Sequence, residues 1–280
     1  MEPVLKWAGG KRQILEELHA VIPEEHLVNH TLYEPFVGGG SVFLSFAHNK
    51  VVINDSNKEL INTYRQIKNH PLELIELLKE HELKHNKEYF YYIRNIERTP
   101  DYKKMSAIEK AARTIYLNRT CFNGLYRVNR EGYFNVPIGN YKKPQIVREK
   151  QILEMSHYLK KNKVVFRTGD FADSVFDAKA GDVIYCDPPY DYEDDGKEGF
   201  VRYTADQFSR NELIRLGKMC DELVNIGCHV IISNNDTELV RTVFSNDYYI
   251  YTTINGRRMI NNTSQKRAGV KEVIIYGHRN

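Results

Sequence analysis

The chain has 280 residues and a mass of 32.8 kDa, enough to bury a full core in one large or two modest domains. Its net charge of +3 and pI of about 8.5 make it only mildly basic, so any surface that binds a polyanion has to be local. The cysteines at 121, 186, 220 and 228 show no CxxC pairing, which argues against disulfides and a cysteine zinc site. No apolar run approaches the roughly 20 residues of a membrane helix, and Met1-Glu2-Pro3-Val4-Leu5-Lys6 is not a signal peptide. The expectation is a soluble, cytoplasmic, reduced protein with no membrane contact.

In chain order, the first motif is Leu5-Lys6-Trp7-Ala8-Gly9-Gly10-Lys11. Its glycine pair lets the backbone approach a ligand closely; a tight turn entering a helix over 13–20, with Trp7 as a core anchor, explains it equally well. A strand over 31–34 then runs into Pro35-Phe36-Val37-Gly38-Gly39-Gly40 and a helix over 41–47. Strand, glycine loop and helix form a nucleotide-binding arrangement, in which the glycines admit a ligand to the helix N-terminus. Three consecutive glycines are not GxGxxG, so dinucleotide, nucleoside and purely structural readings stay open. The next strand, 51–54, ends on Asp55, 17 residues after Gly38. That is close to where an acidic residue accepts ribose hydroxyls, which favours an adenosine-containing ligand. No GKS or GKT follows the glycines, so this is not a P-loop.

From about 56 to 158 the pattern turns helical and polar. His81-Glu82-Leu83-Lys84-His85 matches HExxH, but its charged neighbours read as a solvated face and no convincing third ligand follows; it is a chance match, and no metal is expected. A helix over 108–117 precedes the non-periodic stretch Asn118-Arg119-Thr120-Cys121-Phe122-Asn123-Gly124-Leu125-Tyr126-Arg127-Val128-Asn129. Asn-Gly is a strong hairpin signal. Between Leu117 and Lys150 there are seven Lys/Arg against two Glu, interleaved with Phe122, Tyr126, Tyr133, Phe134 and Tyr141. A hairpin with Arg, Asn and an aromatic at its tip suits major-groove reading and a wedge into the base stack; a surface hairpin packed on helices is the plainer alternative.

The sheet resumes over 164–167, followed by Gly169-Asp170-Phe171, which could cover an adenine or simply turn the chain. The apolar run 183–186 leads into Asp187-Pro188-Pro189-Tyr190. Two prolines cannot continue a sheet ladder, so the chain must turn out at the strand's carboxyl end, where open α/β sheets bind ligands. The Asp187 carboxylate and Pro188 carbonyl can take both hydrogens of an exocyclic amine while Tyr190 stacks on its ring. Held so, a delocalised lone pair returns to nitrogen and points at an electrophile; a strand-terminating turn with an N-capping Asp is the plainer alternative. The acidic stretch 191–195 reads as a mobile solvated loop. A helix over 207–226, a strand over 229–233 and an antiparallel pair over 248–254 and 270–276 complete the alternation. The connection of that pair carries Arg257, Arg258, Lys266 and Arg267, suited to phosphates, though solubility alone would also explain them.

Taken together, KWAGGK at 6–11, EPFVGGG at 34–40, NRTCFNGLYRVN at 118–129, GDF at 169–171 and DPPY at 187–190 resemble the Dam-type DNA adenine-N6 methyltransferases, α group, over nearly the whole chain. The resemblance implies an α/β fold: a Rossmann-like S-adenosylmethionine-dependent sheet formed by 1–55 and 160–280, with an inserted, mostly helical recognition domain over 56–159 carrying a β-hairpin. It implies S-adenosylmethionine as cofactor, double-stranded DNA with the target GATC as partner, and base flipping; the oligomeric state stays open, with a monomer favoured. Carried over by position, Trp7, Lys11, Phe36, Gly38, Asp55, Asp170 and Phe171 would contact the cofactor, with Asp187 beside it. Asp187, Pro188 and Tyr190 would be catalytic. Arg119, Phe122, Asn123, Leu125, Arg127 and Pro137 would meet DNA, Arg127 reading the first guanine and Phe122 and Asn123 filling the gap left by the extruded adenine. Many relatives carry Tyr where this chain has Phe122, a change that keeps stacking and loses any hydroxyl contact. Methylation of cytosine N4 or an RNA adenine, a non-catalytic DNA-binding module and a zinc hydrolase are the alternatives.

Overall fold

The computed structural model describes residues 1–7, 11, 14–22, 27–191, 208–254 and 271–279. Among them a seven-stranded sheet has the spatial order β3-β2-β1-β4-β5-β7-β6. Its strands are β1 (Leu32–Glu34), β2 (Lys50–Asp55), β3 (Lys163–Thr168), β4 (Val183–Cys186), β5 (His229–Asn235), β6 (Tyr249–Ile254) and β7 (Glu272–Gly277). The first five run parallel; β7 is antiparallel to β5 and pairs antiparallel with β6. From β1 the chain builds outward through β2 and β3, then returns to place β4 on the other side of β1. The strand order therefore reverses between β1 and β4, the place where open α/β sheets leave a crevice at the strands' carboxyl ends.

The expected Rossmann-like α/β sheet is present; its inner strands β1, β2, β4, β5 and β7 are largely buried, as near-continuous apolar runs require, while the edge strands β3 and β6 are partly exposed. On one face pack α1 (Leu15–Val21), α2 (Ser41–Phe46), α3 (Lys58–Asn69), α4 (Pro71–Lys84), α5 (Lys87–Asn95), α7 (Ala107–Thr120) and α8 (Glu149–Lys161), while the short α6 (Asp101–Lys104) buries no residue and reaches α3 through the Tyr102 hydroxyl, which donates to Glu59 Oε1 at 2.7 Å. One continuous core joins Val51, Ile53 and Tyr185 of the sheet to Leu60, Ile61 and Tyr64 of α3 and to Ile115 and Leu117 of α7. The other face is covered by α9 (Arg210–Asn225) and α10 (Glu238–Val243), whose Leu213, Leu216, Leu223 and Val240 meet Val52, Ile184, Ile232 and Val273.

Local chemistry sets several ends. Asn57 caps α3 by accepting from Glu59 and Leu60 N–H; Ser106 and Glu109 form a capping box on α7, and Ser209 caps α9 through Glu212 N–H. The start of α9 at Arg210 shortens the helix expected over 207–226.

Two expectations need correction. The helix expected over 108–117 runs on to Thr120, taking in Asn118 and Arg119. These polar residues are buried there because each finds a partner: Thr120 Oγ1 donates to Tyr116 O at 2.6 Å, Arg119 Nε to Gln145 O at 2.8 Å, and Asn118 Nδ2 to Lys6 O at 2.7 Å. Second, Asn123-Gly124 is not the tip of the hairpin. Both residues are left-handed (φ 54° and 64°), but they lie in a single 3-10 turn over Phe122–Gly124. The hairpin turns later: Val128 bridges Phe134, Asn129 N–H donates to Tyr133 O, and the tip carries Arg130 and Glu131.

Candidate active site

At the carboxyl end of β1 the chain enters Pro35–Gly40. Gly38 has φ 48°, and a Cβ there would lie 2.8 Å from both Cδ1 and Nε1 of Trp7, so only glycine fits. The Gly38 N–H donates to Asp55 Oδ2 at 3.1 Å and its carbonyl accepts from Tyr64 Oη at 2.8 Å. Asp55, the last residue of β2, also accepts from Asn57 N–H at 2.9 Å. Burial pushes its carboxyl up to about 6 against these two backbone donors. Asn54 ties the ends of β1 and β3 together, donating to Pro35 O at 3.0 Å and Gly169 O at 3.1 Å.

Beyond β3, Phe171 is buried against Phe36, with centroids 5.2 Å apart, and Phe208 closes the aromatic group. Asp170 accepts two hydrogen bonds from Arg215, at 2.9 and 2.5 Å, and one from Ala172 N–H. The Arg215 guanidinium, which also stacks 4.2 Å from the Phe171 centroid, holds the Asp170 carboxyl below the usual range.

The turn after β4 carries Asp187, Pro188 and Tyr190, with Pro188 buried and the other two partly exposed. Lys11, only 6% exposed, brings its Nζ to 2.9 Å from Asp187 Oδ1 and 3.4 Å from Glu272 Oε1, and hydrogen bonds Tyr190 Oη. It also stands 4.3 Å from the Tyr190 ring centroid, and the Tyr190 hydroxyl donates to Glu272 Oε1. Burial pushes the Asp187 carboxyl up to about 6, opposed by the Lys11 ammonium and assisted by Glu272. Lys11, from the first motif, and the turn after β4 thus form one cluster, although they are 176 residues apart in the sequence.

Asp191 corrects the reading of 191–195 as a mobile loop, for this residue at least. Its N–H donates to Asn234 Oδ1 at 3.0 Å, its carbonyl accepts from Asn235 Nδ2 at 2.5 Å, and its carboxylate accepts from Thr237 Oγ1 at 2.7 Å. Residues 192–195, and the cationic loop with Arg257, Arg258, Lys266 and Arg267, lie outside the described residues.

The segment expected to meet DNA leans on the first motif. Trp7 stacks on Tyr126 with centroids 5.5 Å apart, and the Asn118 amide brackets the Lys6 backbone, accepting from its N–H at 2.8 Å and donating to its carbonyl. Phe122 is 41% exposed and Asn123 is exposed beside it. Phe122 N–H donates to Pro137 O at 2.9 Å, which sets exposed Pro137 against the same turn. Leu125 is half-buried, and Arg127 Nε donates to Asn135 Oδ1 at 2.8 Å, fixing the plane of the guanidinium. Arg119 is 7% exposed and held by Gln145 O, behind this surface rather than on it.

The HExxH residues face tyrosines. His81 Nδ1 hydrogen bonds Tyr89 Oη at 2.8 Å and its ring stacks on Tyr116, while His85 Nδ1 pairs with Tyr116 Oη at 2.9 Å. Burial lowers His81 to about 4. Among the described residues no group of three or more His, Cys, Asp or Glu is arranged to hold a metal ion, and no helix is long and apolar enough to cross a membrane.

Sequence reasoning missed Glu272, Asn234, Asn235, Thr237 and Arg215. The run Ser233-Asn234-Asn235-Asp236 after the apolar stretch 230–232 was a usable signal, since polar residues at a parallel strand's carboxyl end line the crevice. Glu272 gave none: it starts an antiparallel strand, and only the pairing of β7 with β5 brings it to the same edge.

Residues 7–260 match the model of the D12 class N6 adenine-specific DNA methyltransferases. A type II methyltransferase of Lactococcus lactis subsp. cremoris, M1.LlaDCHI, is 40% identical over 280 residues, covering 100% of this chain and 96% of the relative. The type II methyltransferase M.MjaIII of Methanocaldococcus jannaschii is 33% identical, with 99% of each chain covered. A DNA adenine methylase of Serratia marcescens is 34% identical, with 96% of each covered. The strand order reverses between β1 and β4, beside the turn Asp187-Pro188-Pro189-Tyr190, and on these matches the chain belongs to the D12 class of N6 adenine-specific DNA methyltransferases.

Proposed function

We propose that this enzyme methylates N6 of the adenine in GATC sites of duplex DNA, using S-adenosylmethionine and a target base flipped out of the helix. The observation that carries the reading is the placement of Asp187-Pro188-Pro189-Tyr190 at the end of β4, across the crevice from the glycine loop and bound to Lys11.

The crevice residues fit the cofactor. Gly38 leaves no side chain between its backbone and Trp7, Asp55 presents a carboxyl suited to a ribose diol, and Phe36 and Phe171 offer apolar faces for an adenine, with Asp170 at the rim. Two buried polar atoms beside the loops, Glu34 Oε1 and Asn234 Nδ2, have no hydrogen-bond partner among the described residues. Burial holds the Glu34 carboxyl well above the usual range, which favours its neutral form there. When bound, S-adenosylmethionine supplies an electrophilic methyl group.

The chain's own residues do the rest. The Asp187 carboxylate, ionised above about pH 6, and the Pro188 carbonyl accept the two N6 hydrogens and return the lone pair to nitrogen. Tyr190 stacks on the base. Positioning of this kind is worth up to roughly 7–11 kcal/mol in well-oriented reactions. Residues 56–159 act as the recognition part and 1–55 with 160–280 as the catalytic part. The cationic excess of the recognition part between Leu117 and Lys150 binds phosphates with a steep salt dependence; Phe122 and Asn123 take the space of the flipped base, at a cost of a few kcal/mol for unstacking; and Arg127 reads a guanine. Asp187→Ala is expected to abolish methyl transfer while duplex binding, followed by fluorescence anisotropy, stays within a few-fold of the parent. Equal loss of both would refute the role given to Asp187.

A further inference from the structure

Glu272 is the first residue of β7 and pairs across the sheet with Asn235. Because β7 runs against its neighbours, its first residue arrives at the edge where the parallel strands end. Asn235 holds the Asp191 carbonyl from β5, and Glu272 takes the Tyr190 hydroxyl from β7, so the turn carrying Asp187 is gripped from two adjacent strands. The same Glu272 oxygen lies 3.4 Å from Lys11 Nζ, whose other carboxylate partner, at 2.9 Å, is Asp187. Glu272 is 17% exposed, so its charge is poorly screened by water.

We propose that Glu272 is a positioning residue of the methyl-transfer reaction: its carboxylate anchors the Lys11 ammonium and the Tyr190 hydroxyl, and through them fixes the Asp187 carboxylate and the Tyr190 ring where the flipped base is received. This rests on the function proposed above. Glu272 does not touch the base in this arrangement; it acts through Lys11 and Tyr190. Its reach and its charge do separable things. The reach holds two partners in place. The charge opposes ionisation of Asp187, against the opposite pull of Lys11. The other titratable groups that face Asp187 among the described residues are Glu34 at the end of β1, Tyr185 on β4 and Tyr190. Burial favours the neutral form of Glu34 and of both tyrosines, and the charged groups acting on Asp187 are Lys11, which favours its ionised form, and Glu272, which opposes it.

The test is steady-state transfer of labelled methyl from S-adenosylmethionine to a GATC duplex between pH 5 and 9, with the full chain carrying Glu272→Gln or Glu272→Asp. Glu272→Gln keeps size and loses charge; the acid limb of kcat is expected to move down by roughly one pH unit. At pH 8 its kcat should fall roughly 10- to 100-fold as Lys11 and Tyr190 lose their anchor, with KM for the cofactor and the unfolding temperature close to the parent's. Glu272→Asp keeps the charge and retreats by one methylene, so its limb should stay in place while kcat falls. An unmoved limb in Glu272→Gln, or a kcat within twofold of the parent, overturns the assignment. Absence of transfer by the parent itself overturns the underlying reading instead, and the two failures are distinguished by that control.

Discussion

Asp187→Asn should make the protein more stable at neutral pH while removing its activity. The parent cluster sets one ammonium, Lys11, among two carboxylates, Asp187 and Glu272, so it carries an excess negative charge in a half-buried place. The cost shows in the Asp187 carboxyl, raised from 3.8 to about 6 chiefly by burial. A shift of about two units corresponds to roughly 3 kcal/mol at about 1.4 kcal/mol per unit, an upper bound because Lys11 loses a partner in the variant. The expected gain is about 1–3 kcal/mol at pH 8. The sign follows from linkage: a carboxyl with a raised folded pKa favours the fold fully below its unfolded value near 3.8, and loses that contribution as pH rises through about 6. The advantage of Asn is therefore largest above pH 7, shrinks between 6 and 4, and vanishes below. Urea unfolding of parent and variant at pH 8 and pH 4 measures it. A variant less stable than the parent at pH 8, or an equal margin at both pH values, would refute the electrostatic account of the site.

Other consequences follow from single residues. Arg127→Ala should cost about 1–3 kcal/mol of discrimination at one base pair, measured by binding to duplexes substituted at each position; uniform weakening across all sequences would make Arg127 a phosphate contact. Gly38→Ala places a methyl against Trp7 in a left-handed backbone. It should cost about 1–2 kcal/mol from the backbone alone and weaken cofactor binding about tenfold or more by calorimetry. Unchanged affinity would remove the glycine loop from the cofactor site.

Much of this was legible in the sequence because parallel strands announce themselves as short apolar runs, and the residues after them line the crevice. Asp55, Asp170 and Asp187 all follow such runs, and the structure sets all three at the carboxyl edge of the sheet. What stayed hidden depends on pairing between distant segments. Asn123-Gly124 does adopt the left-handed conformations that Asn and Gly favour, but the space a Gly124 side chain would need is filled by Lys6, and the paired strands lie elsewhere. Arg119 reads as a surface cation until Gln145 is seen to hold it. Glu272 is one acid among many until an antiparallel strand carries it to Lys11.

The most direct measurement is transfer of labelled methyl from S-adenosylmethionine to duplexes containing GATC or a scrambled site, with nucleoside analysis of the product. N6-methyladenine formed on GATC alone is the predicted result. Methyladenine at a different site would keep the chemistry and discard the assignment of Arg127, and no transfer to any DNA would contradict the account.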